Sequence, residues 1–139
     1  MISEFINEWF DAHRAEVIAW RRHIHRHPET ANQEVETTNY IANILADYGL
    51  EPQRFPHTGL MVDIGPDTEL GRLAFRADID ALPITEVTGL EFTSEKPGTM
   101  HACGHDVHTT VALGLACALA DFQRVNQLQL GIRVIFQPA

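Results

Sequence analysis

Basic residues are scarce in this chain of 139 residues, with 10 Lys and Arg against 19 Asp and Glu and a net charge of −9. This deficit argues against a nucleic-acid binder or a polybasic membrane-docking protein. Two cysteines are too few for a disulfide scaffold. The longest apolar run, VALGLACALA, is too short to span a bilayer, and the acidic start MISEFINEWFDAHRAEV is unlike a secretory signal. We therefore expect a cytoplasmic protein that binds neither nucleic acid nor membranes.

Hydrophobic residues make up 45% of the chain, enough for one domain with a core of its own. Their spacing changes along the sequence between the helical period and the strand period. The pattern predicts a mixed α/β layered domain, in which strands 60–64 and 73–78 pair as an antiparallel hairpin and strand 130–136 forms a sheet edge. The helices are expected at 2–27, 32–48 and 109–120, the last of them buried, and a long loop at 79–107.

The segment MHACGHDVHTT, residues 100–110, concentrates groups that bind metals directly before the buried helix. Thiolate and imidazole are preferred ligands of zinc and similar divalent ions, and Cys103 and His105 can reach one ion across Gly104. One cysteine and one histidine are only two ligands. An equally plausible interpretation is a polar helix entry that is capped by Asp106 or Thr109, with its histidines exposed.

A second polar group follows the predicted strand in RADIDALP, residues 76–83. Asp78 and Asp80 are two positions apart and leave the strand on the same side. They could support a metal, transfer a proton or orient a histidine. The simpler alternative is that both end the strand and cap the turn before Pro83.

The third candidate is RRHIHRHPE, residues 21–29, in which His23, His25 and His27 alternate with other residues. Side chains two positions apart do not share a face of a helix. We interpret this segment as the surface-exposed end of a helix, without a metal role. Cys117 lies inside the apolar helix and is expected to be a small buried hydrophobe.

Four segments together resemble a known family: HIHRHPE, FRADIDALPI, TGLEFTSEKPGTMHACGHDVHTT and IFQPA occur in this order. They are similar to the amino-terminal part of the amidohydrolase branch of the zinc aminoacylase/carboxypeptidase superfamily. That branch includes hippurate hydrolase, the indole-acetyl-amino-acid hydrolases and acetyl-diaminopimelate deacetylase. The resemblance covers essentially the whole chain.

The resemblance implies a catalytic domain like that of the zinc exopeptidases, of which residues 1–139 are the N-terminal part, and a separate lid domain used for homodimerisation. It implies that Cys103 and His105 are ligands of two divalent ions (Zn, Mn, Co or Ni) and that Asp80 orients a ligand from behind. A Glu-Glu pair, one the general base and one a ligand, would directly follow Ala139. The implied reaction is hydrolysis of the amide bond of N-acyl amino acids. This chain alone is expected to be inactive and to bind metal weakly.

Two other functions compete with an amidohydrolase. A naturally truncated, non-catalytic module could use Cys103 and His105 as a structural or regulatory metal site. His105-Asp106 could also be the pair of an HD-type phosphohydrolase, but that motif needs an all-helical setting, and the alternating strands argue against it.

Overall fold

A computed structural model describes all residues, 1–139, and has four helices and four strands. Their order and type confirm the predicted mixed α/β class, with helices packed on one mixed sheet. None of the helices is long and apolar enough to cross a membrane. The elements are α1 Ile2–Ala12, α2 Arg14–Arg26, α3 Val35–Asp47, β1 Gln53–Arg54, β2 Leu60–Ile64, β3 Arg72–Asp78, α4 His105–Val125 and β4 Gly131–Gln137.

The sheet has the order β1-β2-β4-β3, so the predicted hairpin of β2 and β3 is wrong. Strand β4 lies between them, antiparallel to β2 and parallel to β3. Parallel neighbours need a long crossover, and α4 supplies it between β3 and β4. The expectation that residues 130–136 form an edge is wrong for the same reason. The edge strands are β1 and β3, and in β3 the side chains of Leu73 and Phe75 are about half exposed.

Helix α4 is the centre of the core, since it packs on β2, β3 and β4 and also contacts α1, α2 and α3. This double contact explains why its sequence is apolar nearly all round. Leu113 and Leu119 are buried as predicted, whereas Leu115 is partly exposed and Val111 is exposed. The helix begins at His105 rather than at Thr109, four residues before the predicted start.

The first two helices replace the single helix predicted over 2–27. His13 separates them with φ −103° and ψ 14°, and its ring Nδ1 lies 2.8 Å from the carbonyl oxygen of Trp9. A side chain that binds into the backbone hydrogen-bond ladder in this way is a known cause of helix kinks. The next helix, α3, is capped from outside: the Glu29 carboxylate accepts from the backbone N–H of Glu36 and Thr37 at 3.1 and 2.6 Å.

Residues 79–104 contain no helix or regular strand, as predicted. Two isolated bridges fix this loop, one between Leu82 and Met100 and one between Ala81 and Thr30. The loop therefore returns to its own start and brings residues 100–104 back to the end of β3.

Gly59 has φ +78°, and a Cβ there would lie 2.4 Å from Pro138 Cδ and 2.7 Å from the Phe136 carbonyl oxygen. We expect Gly59→Ala to lower the free energy of unfolding by about 3 kcal/mol, the sum of left-handed strain and overpacking. Gly71→Ala is the matched control, because Gly71 has φ +80° and nothing within 4 Å of the added Cβ. Urea denaturation gives the free energy of unfolding of both variants. Equal losses of this free energy would show that residues 136–138 are not in close contact with Gly59.

Candidate metal centre

The candidate centre lies at the carboxyl ends of the parallel strands β3 and β4. The Ile79 N–H donates to the Gln137 carbonyl at 3.1 Å and so joins the two strand ends. The Thr109 hydroxyl donates to the Asp78 carbonyl at 3.1 Å, which fixes the first turn of α4 against the end of β3. Crevices at the carboxyl ends of parallel strands are where α/β folds bind their ligands.

His105 and Asp80 come from the two separate sequence motifs and contact each other here. Nδ1 of His105 lies 2.9 Å from Asp80 Oδ1 and 3.0 Å from the Asp80 carbonyl oxygen. Both partners are oxygen acceptors, so Nδ1 carries a proton, and Nε2 is the ring nitrogen that could bind a metal ion. A carboxylate that holds the far nitrogen of a histidine is the usual arrangement behind a metal-binding imidazole.

Cys103 is exposed and separated from His105 only by Gly104, which has φ +85° and is the N-cap of α4. Because this N-cap residue is a glycine, no side chain of the cap binds the first backbone N–H groups of α4. The alternative of a helix entry capped by Asp106 or Thr109 is therefore wrong: the Thr109 hydroxyl bonds Asp78, and the Asp106 side chain faces α2.

Asp78 is not part of the His105 contact. Its carboxylate is 3.6 Å from the Arg76 guanidinium, and its side chain is partly exposed. Of the two aspartates that the sequence analysis considered, Asp80 alone contacts the histidine.

His25 is buried, so the interpretation of residues 21–29 as helix surface is wrong for this residue. Its Nδ1 lies 2.8 Å from Asp106 Oδ2, and its Nε2 lies 2.9 Å from Glu86 Oε1. Arg21 Nε donates to the same Asp106 oxygen at 2.9 Å. Each ring nitrogen of His25 thus faces a carboxylate oxygen, and the ring bridges Asp106 and Glu86. We name Arg21, His25, Glu86 and Asp106 the buried ion cluster.

The buried ion cluster joins three parts of the chain: α2, the 79–104 loop and the first turn of α4. Because Asp106 follows His105 directly, the cluster fixes the backbone that carries the candidate ligand. No pattern in the sequence predicts this role of Glu86. One signal was available for His25, which is four residues after Arg21 and therefore shares a helix face with it.

His101 is the other buried histidine near the centre, 4% exposed, with neither ring nitrogen in a hydrogen bond within the protein. Burial lowers its pKa to about 4, against the opposing effect of Asp106. The ring is therefore neutral at pH 7. Oδ1 of Asp106 likewise has no partner in the chain.

Glu86 has a side chain that is only 3% exposed. Burial alone would raise its pKa, but hydrogen bonds from His25, Thr88 and the Ser94 N–H outweigh burial and lower the pKa to about 2. A carboxylate with a lowered folded-state pKa stabilises the fold above its unfolded pKa, and this contribution is lost as the pH falls through the folded value.

We therefore expect the Glu86 contribution, on the order of 2 kcal/mol, to be complete above about pH 4.5 and to disappear towards pH 2. Urea denaturation across this range should show the wild type and Glu86→Gln converging as the pH falls. Glu91→Gln, an exposed change in the same loop, should follow the wild type throughout. A Glu86→Gln difference that is the same at pH 2 and pH 7 would contradict the ionised contact.

The donor set fits a divalent transition ion, because thiolate and imidazole suit Zn and its neighbours. No group of three or more His, Cys, Asp or Glu side chains in the chain is arranged to hold an ion. Residues 1–139 thus contain Cys103 and His105 as two candidate ligands and Asp80 as the contact of His105, and a closed site needs more ligands.

Residues 74–139 match the family described as Peptidase family M20/M25/M40. N-acetyl-L-cysteine deacetylase of Bacillus subtilis is 45% identical over 125 residues, covering 89% of this chain and 30% of that protein. N-acyl-L-amino acid amidohydrolase of Geobacillus stearothermophilus is 41% identical over 140 residues, covering 100% of this chain and 37% of that protein. A similar solved structure is that of the Bacillus subtilis YXEP protein, which is described as a dinuclear metal binding peptidase from the M20 family. Its TM-score is 0.83 at 46% sequence identity, and the match covers 93% of this chain and 36% of the YXEP chain.

The fold is similar to that of the YXEP protein, and Asp80, Cys103 and His105 all lie within the segment that matches the M20/M25/M40 family. The match of residues 74–139 to Peptidase family M20/M25/M40, together with these relatives, confirms the resemblance that the four motifs indicate. The chain spans about a third of the length of these relatives.

Proposed function

We propose that the protein containing this segment is a metal-dependent amidohydrolase that cleaves the amide bond of N-acyl amino acids. The observation that carries the proposal is the contact of Asp80 with Nδ1 of His105, two residues from Cys103, at the carboxyl ends of β3 and β4. The substrate class is supported by the names of the relatives, which act on N-acetyl-L-cysteine and N-acyl-L-amino acids.

In this proposal Cys103 and His105 hold one or both of two divalent ions, and Asp80 keeps the proton on Nδ1 so that Nε2 is the ligand atom. When bound, such ions supply Lewis-acid polarisation of the amide carbonyl and a lowered pKa for water. The buried ion cluster keeps the first turn of α4 in place and so limits the positions that His105 can take. The description of the YXEP protein as dinuclear supports two ions.

The remaining parts are proposed to lie beyond residue 139: the Glu-Glu pair with the general base, further ligands, and a lid domain that forms a homodimer. Residues 1–139 would then be the N-terminal part of the catalytic domain. Without a base, the rate commonly falls by about two to four orders of magnitude, so we propose that this chain alone is inactive. A cytoplasmic location stays a prediction.

The test uses the longer protein encoded with this segment. It is stripped with a chelator and assayed on hippurate and N-acetyl amino acids before and after addition of Zn, Mn, Co or Ni. We expect hydrolysis only after metal addition. Full hydrolysis in the stripped protein, or none with any ion, would refute the proposal. Tight zinc binding without hydrolysis would favour the structural metal site instead.

A further inference from the structure

Glu34, directly before α3, is completely buried, and the proposed function so far gives it no role. Its Oε2 accepts from the Thr58 hydroxyl at 2.8 Å, and its Oε1 accepts from the Ala139 backbone N–H at 3.3 Å. These are the side-chain contacts of the carboxylate, and neither partner is a cation.

A carboxylate in this position is unfavourable for folding alone. Burial removes its hydration, and no positive charge compensates for the loss. Hydrogen bonds to an ionised acceptor are stronger and more directional than neutral ones. Glu34 therefore does not stabilise the core by its burial. Its role is best explained by the two donors that it holds in place, the Thr58 hydroxyl and the Ala139 N–H at the end of β4.

The residues around Glu34 connect the start of α3, the start of β2 and the end of β4 by close contacts. The Thr38 hydroxyl donates to the Glu34 carbonyl and accepts from the Gly59 N–H at 2.9 Å. Gly59 in turn lies so close to Pro138 that a Cβ would clash with it. Contacts with Glu34 before α3 and with Gly59 before β2 thus fix the path of the chain through Pro138 and Ala139.

We propose that Glu34 is a positioning residue: through the Ala139 N–H it sets the direction in which the chain leaves β4. This rests on the proposed function, in which a Glu-Glu pair with the general base follows Ala139. The end of β4 is also bonded to Ile79, the neighbour of Asp80. A chain held at both places delivers the next residues beside Asp80 and His105.

The test uses the longer protein with Glu34→Ala, Glu34→Gln and, as a matched control, Glu36→Ala, which changes an exposed glutamate in the first turn of α3. A misplacement of about 1 Å at a reacting group lowers rates by up to about 100-fold. We expect Glu34→Ala to lower kcat at least tenfold with KM nearly unchanged and to speed amide hydrogen exchange in residues 136–139. Glu34→Gln should recover most of the rate, because its amide oxygen can accept from Ala139 and its NH2 can donate to the Thr58 oxygen.

A kcat of Glu34→Ala within twofold of wild type overturns the assignment, whatever its melting temperature. Equal losses in Glu34→Ala and Glu34→Gln also overturn it, because they show that the charge acts and not the bond to Ala139. If Glu34→Ala does not fold, Glu34→Asp decides, because its shorter side chain withdraws the carboxylate from the Ala139 N–H, and unchanged kcat and exchange there overturn the proposal. If the wild type hydrolyses nothing, the proposed function fails, and unchanged exchange in the variants then overturns the role of Glu34 separately.

Discussion

Replacing His105 with alanine in the longer protein is expected to lower kcat/KM for N-acyl amino acids by roughly a thousandfold or more. The imidazole is the best-oriented candidate ligand in the chain, with Nδ1 held by Asp80 and Nε2 free to bind. Metal polarisation contributes several kcal/mol to such reactions, and each 1.4 kcal/mol is about a factor of ten in rate. Cys103→Ala should have an effect of similar size.

His108→Ala is the matched control, because this histidine is exposed and lies one turn further along α4. Metal content by elemental analysis should fall in His105→Ala and stay at the wild-type level in His108→Ala. Asp80→Asn should weaken metal binding by about 10–100-fold, as expected for a residue that orients a ligand. Wild-type turnover in Cys103→Ala or His105→Ala would refute the ligand assignment.

The periodicity of the sequence predicted the type of nearly every element, but it could not predict which strands are neighbours. Alternation in residues 60–64 and 73–78 predicts that each is a strand, and this prediction is the same for any partner strand. The neighbour of both is β4, which arrives only after the α4 crossover. Pairing at such a distance depends on how α4 packs, and no local pattern encodes that packing.

The candidate centre was predictable as two motifs, and the structure adds the contact between them. Asp80 and His105 are 25 residues apart, and their hydrogen bond depends on the return path of the 79–104 loop. The buried role of His25 was missed because the three alternating histidines were judged as one group. On a helix each has its own surroundings, and only His25 faces α4 and the loop.

Loss of His25 is the second large effect that we expect, and it concerns stability. His25→Ala leaves Asp106 and Glu86 buried without the imidazole that bridges them, although Arg21 still reaches Asp106. Breaking a buried ion pair by removing one partner lowers the free energy of unfolding by about 3–5 kcal/mol. Since folded domains are stable by only about 5–15 kcal/mol, we expect a large fall in the urea midpoint.

His27→Ala, at the end of the same helix, is the control. Its imidazole is about two-fifths exposed and lies 3.4 Å from the exposed Glu95, so its loss should cost about 1 kcal/mol or less. The double variant His25→Ala/Glu86→Ala should lose less than the sum of the single losses, because it removes both charges of one contact. Additive losses in the free energy of unfolding would show that His25 does not bridge the two carboxylates, and so would a His25→Ala loss no larger than that of His27→Ala. In either case the buried ion cluster would not fix the first turn of α4.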